Sequence, residues 1–284
     1  MRESDKNRYL VNMTWPQVEA LDRESSVVLL PVGATEQHGP HLPLGTDTLV
    51  ALDLVEQVAD CPQVVVAPPL WCGMSAHHMG FPGSITVRPE VLVDYVYDVI
   101  GSLHQHGFAK FLVVNGHRIA NLPWLQLVGE RVHRQLSGVK LEIFDPAYMT
   151  KKLAGEFGFG PVGHADEWET SHLMSAYPQL VCPPLVDGPY DGHEWYQVDP
   201  AFGGDTLCYV PSGAHSGGSG VKGCATRSHA GAGRAYRKHL SAGLRRVIAL
   251  MAGAPDQEIY EECEYKHTEP NERQPNHGED DKKG

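Results

Sequence analysis

Between Gly33 and Asp47 the chain reads Gly-Ala-Thr-Glu-Gln-His-Gly-Pro-His-Leu-Pro-Leu-Gly-Thr-Asp, and it carries metal-binding groups at Glu36, His38, His41, Thr46 and Asp47. Carboxylate, imidazole and hydroxyl donors without a thiolate suit zinc, manganese or iron(II). Glu36 and His38 stand two apart, so in extended chain they project to the same side. The segment follows an apolar run, Ser26 to Val32, that reads as a buried strand. Donors gathered where such a strand ends are how an α/β protein presents a metal to solvent. Asp47 opens the next expected helix, where it either caps that helix or reaches the metal. A Gly-, Pro- and His-rich loop can also be a well-packed turn, but this many donors in one stretch favours the metal. Asn115-Gly116-His117 ends a second apolar run in a tight turn that throws an imidazole outward. Glu36, His38, Asp47 and His117 then form one set from adjacent strand ends. Asp47 could bridge two ions roughly 3.5–4 Å apart, with a water acidified toward neutrality as the nucleophile.

Short apolar runs alternating with amphipathic ones must hold these groups in place. Val27 to Val32, Val64 to Ala67, Phe111 to Val114 and Leu141 to Phe144 read as strands. Thr48 to Ala59, Glu90 to His104, Leu122 to Leu136 and Ala230 to Met251 read as helices. In the second of these helices Val91, Val93, Val96, Val99 and Ile100 mark the apolar stripe. The alternation implies a parallel sheet covered on both faces, with right-handed crossovers. Residues 163 to 171 lead into a helix stopped by Pro178, and 181 to 229 read as long loops with short strands. We expect one domain over residues 1–260. From 261 to 284 eight acids stand against four bases with no apolar pattern, the composition of a disordered tail.

The 284 residues carry a formal net charge of -12, which argues against nucleic acid or an anionic membrane as partner. No apolar run approaches the ~20 residues of a membrane span, and Met1 to Lys6 shows no signal-peptide pattern. Six cysteines scattered without paired spacing point to reduced thiols and a cytoplasmic protein. The Gly-rich run from Ser216 to Gly220 lacks the Lys/Ser pattern of a phosphate loop.

The stretch from Gly33 to Thr48 resembles the signature of the creatininase family of metal-dependent amidohydrolases. The likeness continues through Met74 to Thr86, Asn115-Gly116-His117, Gly163-His164-Ala165 and Glu169-Thr170-Ser171, covering about Met13 to Met251. It implies an α/β fold, a three-layer α/β/α arrangement with a mostly parallel sheet. It also implies two divalent metal ions per chain (zinc, with manganese or iron(II) as alternatives), hydrolysis of a carbonyl compound, and a homo-oligomer, often a hexamer. Carried over by position, Glu36 and His117 would bind one metal and His38 the other, with Asp47 bridging. His164 matches the family histidine that handles protons, a role open to an imidazole near pKa 6.5. A helix cap or a hydrogen-bonded loop residue is the alternative for His164. Glu169 either completes the second metal site or only holds its helix.

One departure stands out. After Asn-Gly-His the family commonly has Gly-Gly-Asn, or a variable residue followed by Glu-Asn, and that glutamate is a ligand in the enzyme that names the family. Here the chain reads Arg118-Ile119-Ala120-Asn121, with no acid and the Asn one place late. The substitution favours Glu169 for the second site. It also leaves Arg118 either to fork onto a substrate carboxylate, hydroxyl or keto group or to form a surface ion pair. His78 is expected to face the substrate or orient a ligand carboxylate. His41 reads as structural or as a support behind the metal ligands, and His172, His193, His215 and His229 have no committing spacing. Trp168 and Trp195 could wall the pocket against a flat ring, or simply pack.

The leading expectation is a two-metal hydrolase that cleaves a C–N bond in a small cyclic amide. A second is opening of a cyclic keto-sugar or keto-inositol by C–C hydrolysis, which Arg118 makes attractive. A third is an inactive scaffold or binding subunit, against which the intact Glu36, His38, Asp47 and His117 speak.

Overall fold

The computed structural model describes residues 8–118, 120–189, 196–197, 207–208 and 218–254. A short helix α1 (Trp15–Glu19) precedes a β/α alternation: β1 (Val27–Val32), α2 (Thr46–Val58), β2 (Val64–Val66), α3 (Pro89–Gln105), β3 (Lys110–Asn115), α4 (Leu122–Gln135) and β4 (Lys140–Phe144). Helices α5 (Lys151–Phe157), α6 (Glu167–Ala176) and α7 (Ala230–Ala252) follow. The main sheet is parallel throughout, in the order β2-β1-β3-β4. Within the 181–229 stretch, Tyr196–Gln197 pairs with Leu207–Cys208 as a separate two-stranded sheet. Trp195 and the acidic tail from 261 to 284 lie outside the described residues.

The strands are apolar along their length because both faces are covered. Val27 and Leu29 pack with α2, α6 and α7, whereas Val28, Leu30 and Val32 pack with α3 and α4. These are the three layers that the alternation implied. On α3 the fully buried residues are Leu92, Val96 and Ile100, a stripe at four-residue spacing. Val91, expected on that stripe, is 39% exposed. Val93, Val96, Val99 and Ile100 do face the core, and Leu92 takes the place expected of Val91. Pro31 sits inside β1 without breaking the ladder. Ala67 N–H donates to Leu29 O and Gly116 N–H to Val32 O, so odd-numbered residues of β1 bond toward β2. By Pro31, β2 has already ended at Val66, so the missing N–H costs no ladder bond.

Charged side chains tie the helices of one layer. Asp53 on α2 accepts from His172 Nε2 on α6 at 2.9 Å and from the guanidinium of Arg237 on α7. Burial pushes the Asp53 carboxyl up, but His172 and Arg237 outweigh it and hold the group below its usual range. Among the described residues no helix is long and apolar enough to cross a membrane. Cys61, Cys72, Cys182 and Cys224 are free thiols.

Two glycines let the strand ends close on α2. A Cβ on Gly33 would lie 2.3 Å from Thr48 Oγ1, and one on Gly116 would lie 1.9 Å from Asp47 O. Only hydrogen fits in either gap, so β1 and β3 can press against the first turn of α2, where Asp47 sits. Gly116→Ala is therefore expected to displace that turn and destabilise the fold by about 1–3 kcal/mol, the usual cost of overpacking. Thermal denaturation checks this, and a melting temperature equal to wild type would show that the contact is slack.

Candidate metal centre

The loops after β1, β2 and β3 converge at the carboxyl end of the sheet. The β1 loop is tied to the β2 loop by a bridge between Thr35 and Ile85 and by a hydrogen bond from Thr35 Oγ1 to Trp71 O. Asp47 does not cap α2, whose N-cap is Gly45. Its carboxylate instead faces two imidazoles: Oδ1 lies 3.1 Å from His38 Nε2, and Oδ2 lies 3.0 Å from His117 Nδ1. Glu36 Oε2 is 3.4 Å from His117 Nε2, and Oε1 is 3.3 Å from His78 Nε2 and 3.6 Å from His164 Nδ1. Glu169 Oε2 is 3.7 Å from His38 Nε2. The structure thus gathers Glu36, His38, Asp47, His117, His164 and Glu169 into one buried cluster.

Glu36 is 0% exposed, and neither of its oxygens nor Asp47 Oδ2 has a well-directed hydrogen bond. Leaving carboxylate oxygens buried without donors is costly. A divalent cation removes that cost, so the donor set fits a metal. Triads with donor atoms within 4.8 Å of one another are Glu36–His38–Asp47, His38–His164–Glu169, Glu36–His78–His164 and Glu36–His77–His117.

Electrostatics follow from the crowding. Burial raises the Glu36 carboxyl to about 7, although His117 opposes the shift. Burial disfavours charge on His38, but Asp47 and Glu169 outweigh it and carry the imidazole up to about 10. His117 is raised to about 9 against the effect of burial, by Glu36 and Asp47. Burial opposes ionisation of Asp47 too, yet His38 and His117 hold it well below the usual carboxylate range. Burial, with His38 and His78 nearby, pushes His164 well below the usual imidazole range.

Hydrogen bonds to carbonyl oxygens fix the orientation of three imidazoles, because a carbonyl can only accept. His117 Nε2–H meets Met74 O at 3.3 Å, which leaves Nδ1 facing Asp47 Oδ2. His38 Nδ1–H donates to Glu36 O at 3.1 Å, which aims Nε2 into the cluster. His164 Nε2–H donates to Gln37 O at 2.6 Å, which leaves the Nδ1 lone pair facing Glu36. His78 is fixed through Gln37. Gly39 N–H donates to Gln37 Oε1, so the amide nitrogen is the atom 3.0 Å from both Gly220 O and His78 Nδ1. His78 Nδ1 accepts, and Nε2–H points at Glu36 Oε1. Its ring orients a carboxylate and has no free lone pair for a metal. Gln37 does this work unsuspected, although its place between Glu36 and His38 was a signal.

Arg118 is not on the surface. At 9% exposure it lies between Glu169 Oε1 (2.6 Å) and Asp166 Oδ2 (3.2 Å), and these carboxylates hold its pKa well above the usual value against the effect of burial. Its Nε and Nη1 are buried without a hydrogen-bond partner. Asp166, which the sequence pattern did not single out, caps α6 through Glu169 N–H. Ala165, beside His164, adopts a left-handed φ of 49°, a strained conformation for a residue with a Cβ. Its N–H donates to Glu169 Oε2 at 2.7 Å. Trp168 corrects its expectation: at 1% exposure it packs edge-on against Phe159 and tilted on Tyr236, and its indole N–H donates to Gly160 O. A ring enclosed in the core cannot wall a pocket. His41 Nε2 meets Thr170 Oγ1 at 3.0 Å, linking the β1 loop to α6.

Fold and site together define an α/β protein with a buried carboxylate–imidazole cluster able to hold a metal at the carboxyl end of a parallel sheet. A family model described as creatinine amidohydrolase matches residues 11–248, and the chain belongs to the creatininase family of metal-dependent hydrolases. A 3-dehydro-scyllo-inosose hydrolase of Thermotoga maritima is 30% identical over 195 residues, 61% of this chain and 57% of that protein's own length. The creatinine amidohydrolase of Pseudomonas putida is 28% identical over 221 residues, 69% of this chain and 84% of the relative. A mycofactocin precursor peptide peptidase of Mycobacterium ulcerans is 40% identical over 177 residues, 59% of this chain and 61% of the relative. Among solved structures, a creatinine amidohydrolase superposes with a TM-score of 0.70 at 25% identity, covering 87% of this chain and 99% of that one. Creatininases described as a Zn-Zn type and as a manganese form also reach a TM-score of 0.70 at 25% identity.

Asp47 faces both halves of the cluster, so Asp47→Ala is expected to abolish metal retention as well as turnover. Elemental analysis of the purified variant checks this, and wild-type metal content would remove Asp47 from the centre.

Proposed function

We propose that the protein hydrolyses a C–N bond of a small cyclic amide at a centre of two divalent ions. Asp47 carries this reading, because its two oxygens face imidazoles on opposite sides, His38 and His117. Glu36, His117 and Asp47 Oδ2 would hold one ion, and His38, Asp47 Oδ1 and Glu169 the other. When bound, such ions polarise a carbonyl and lower the pKa of water. The family model and the Pseudomonas putida relative, both described as creatinine amidohydrolase, support the choice of bond.

The chain's own groups supply the rest. His164 presents the Nδ1 lone pair to the cluster, fixed in that tautomer by Gln37 O. From there it accepts a proton from the attacking water and returns it to the leaving nitrogen. Arg118, with Nε and Nη1 free of protein partners, offers donors to a substrate oxygen while its Nη2 holds Glu169. By family likeness we further propose a homo-oligomer acting on a small molecule in the cytoplasm, with zinc as the resident ion and manganese or iron(II) able to replace it.

A second reading is ring opening of a cyclic keto-inositol. It draws on the Thermotoga maritima relative, a 3-dehydro-scyllo-inosose hydrolase, and on the two free donors of Arg118. Assays of both substrate classes in heavy-oxygen water separate the readings: the first predicts amine or ammonia with label in the new carboxylate, the second a linear acid labelled in its carboxylate without amine, which keeps a ketone only where the ring carried a second carbonyl. Inactivity of metal-loaded protein toward lactams, cyclic ureas and other cyclic amides would sink the first.

His164→Asn is expected to lower turnover by roughly 10²–10⁴, the usual share of general acid–base catalysis, with metal content unchanged. Loss of metal together with rate would make His164 a ligand beside His38 and Glu169, the triad in which it also sits.

A further inference from the structure

His77 is the one member of the four donor triads outside the proposed ligands and the two imidazoles given other roles, His78 and His164. It lies in a single helical turn (Ala76–His78) of the loop after β2, and its donor atom falls within 4.8 Å of those of Glu36 and His117. Its ring stacks parallel to that of His117, with centroids 6.1 Å apart and planes at 6°. Its place beside Glu36 and His117 is what makes it a further donor to that half of the cluster. Next to it, His78 has both ring nitrogens committed, one accepting from Gln37 and the other aimed at Glu36 Oε1. Beyond His117 the chain offers no donor from Arg118, a cation whose Nη2 lies against Glu169 and Asp166. The turn holding His77 is fixed, since His78 N–H donates to Ser75 O and Ser75 N–H to Thr86 Oγ1.

We propose that His77 is a metal ligand, joining Glu36, His117 and Asp47 at one ion. Unlike the other three it is only half-buried, so it closes the ion on the solvent side. An imidazole there adds a nitrogen donor without adding negative charge, which inclines this half toward zinc or cobalt and away from magnesium or calcium. The proposal rests on the two-ion reading above.

Cobalt(II) titration of metal-free protein, followed by visible absorption and by stoichiometry after desalting, tests it without recourse to activity. Wild type is expected to take up two ions per chain. His77→Ala, folded as judged by circular dichroism, is expected to bind one of them at least about 10-fold more weakly and to lose part of the cobalt spectrum. His77→Asp, which restores a donor, is expected to regain the stoichiometry with a shifted spectrum. Unchanged affinities and spectrum in folded His77→Ala overturn the proposal and leave the two-ion reading intact. Failure of wild type to bind cobalt overturns both.

Discussion

A carboxylate sealed from water, with imidazoles around it but no well-directed hydrogen bond, dominates this structure. Glu36 sits beyond strand β1, with its main chain pinned by a hydrogen bond from its own N–H to Leu44 O. Removing an ion from water costs several kcal/mol even after relaxation. The neighbours that offset this cost are imidazoles, which are neutral or charged according to what surrounds them. In the cluster by itself His38 and His117 take on the positive charge, reaching about 10 and about 9. A divalent ion does the same electrostatic work from the same position. Its entry displaces those protons, and affinity is accordingly tied to pH.

The fold is arranged to keep that crowding intact. Strands buried on both faces end together, and glycines at Gly33 and Gly116 allow backbones to approach α2 more closely than any side chain permits. The β2 loop is held over the site by the bridge from Thr35 to Ile85. The segment before α6 is held from the other side, by paired backbone hydrogen bonds between His164 and Lys222. Ala165 accepts backbone strain of order 1–3 kcal/mol and in return points its N–H at Glu169. Strain at this place, between His164 and the N-cap of α6, fixes both groups at once.

How much was legible depended on the range of the interaction. Strand and helix order followed from runs of apolar residues, and Glu36, His38 and Asp47 followed from spacing within one loop. His117 was readable because a tight turn at a strand end leaves the imidazole little choice of direction. Side-chain fates set by distant partners were not readable. Arg118 reads equally as a surface residue until Asp166 and Glu169 are seen to enclose it. Trp168 adjoins the motif in sequence, but helical geometry turns it to the opposite side, against Phe159 and Tyr236. His172 gained its meaning only from Asp53, 119 positions away. On α3 the periodicity located Val93, Val96, Val99 and Ile100 on the core side but gave Val91 the place that Leu92 holds.

The two carboxylates at opposite ends of the cluster, Glu36 and Glu169, are electrostatically unequal, and Arg118 is the reason. Glu169 divides its charge: Oε1 lies 2.6 Å from the Arg118 guanidinium, while Oε2 faces His38 and takes the Ala165 N–H. Asp166 does not fully relieve this, because it also accepts from Gly163 N–H and Glu169 N–H, and burial raises its own carboxyl to about 6. Glu36, by contrast, has no fixed cation in contact and directs its whole charge at the imidazoles around it. At an effective dielectric near 20, a unit charge at about 4 Å is worth roughly 4 kcal/mol, so a guanidinium touching one ligand carboxylate is a large bias. It weakens the pull of the Glu169 side on any cation and strengthens its pull on an anion. On the two-ion reading proposed above, the half of the site with His38 and Glu169 is the one that would better receive a substrate oxygen gaining negative charge.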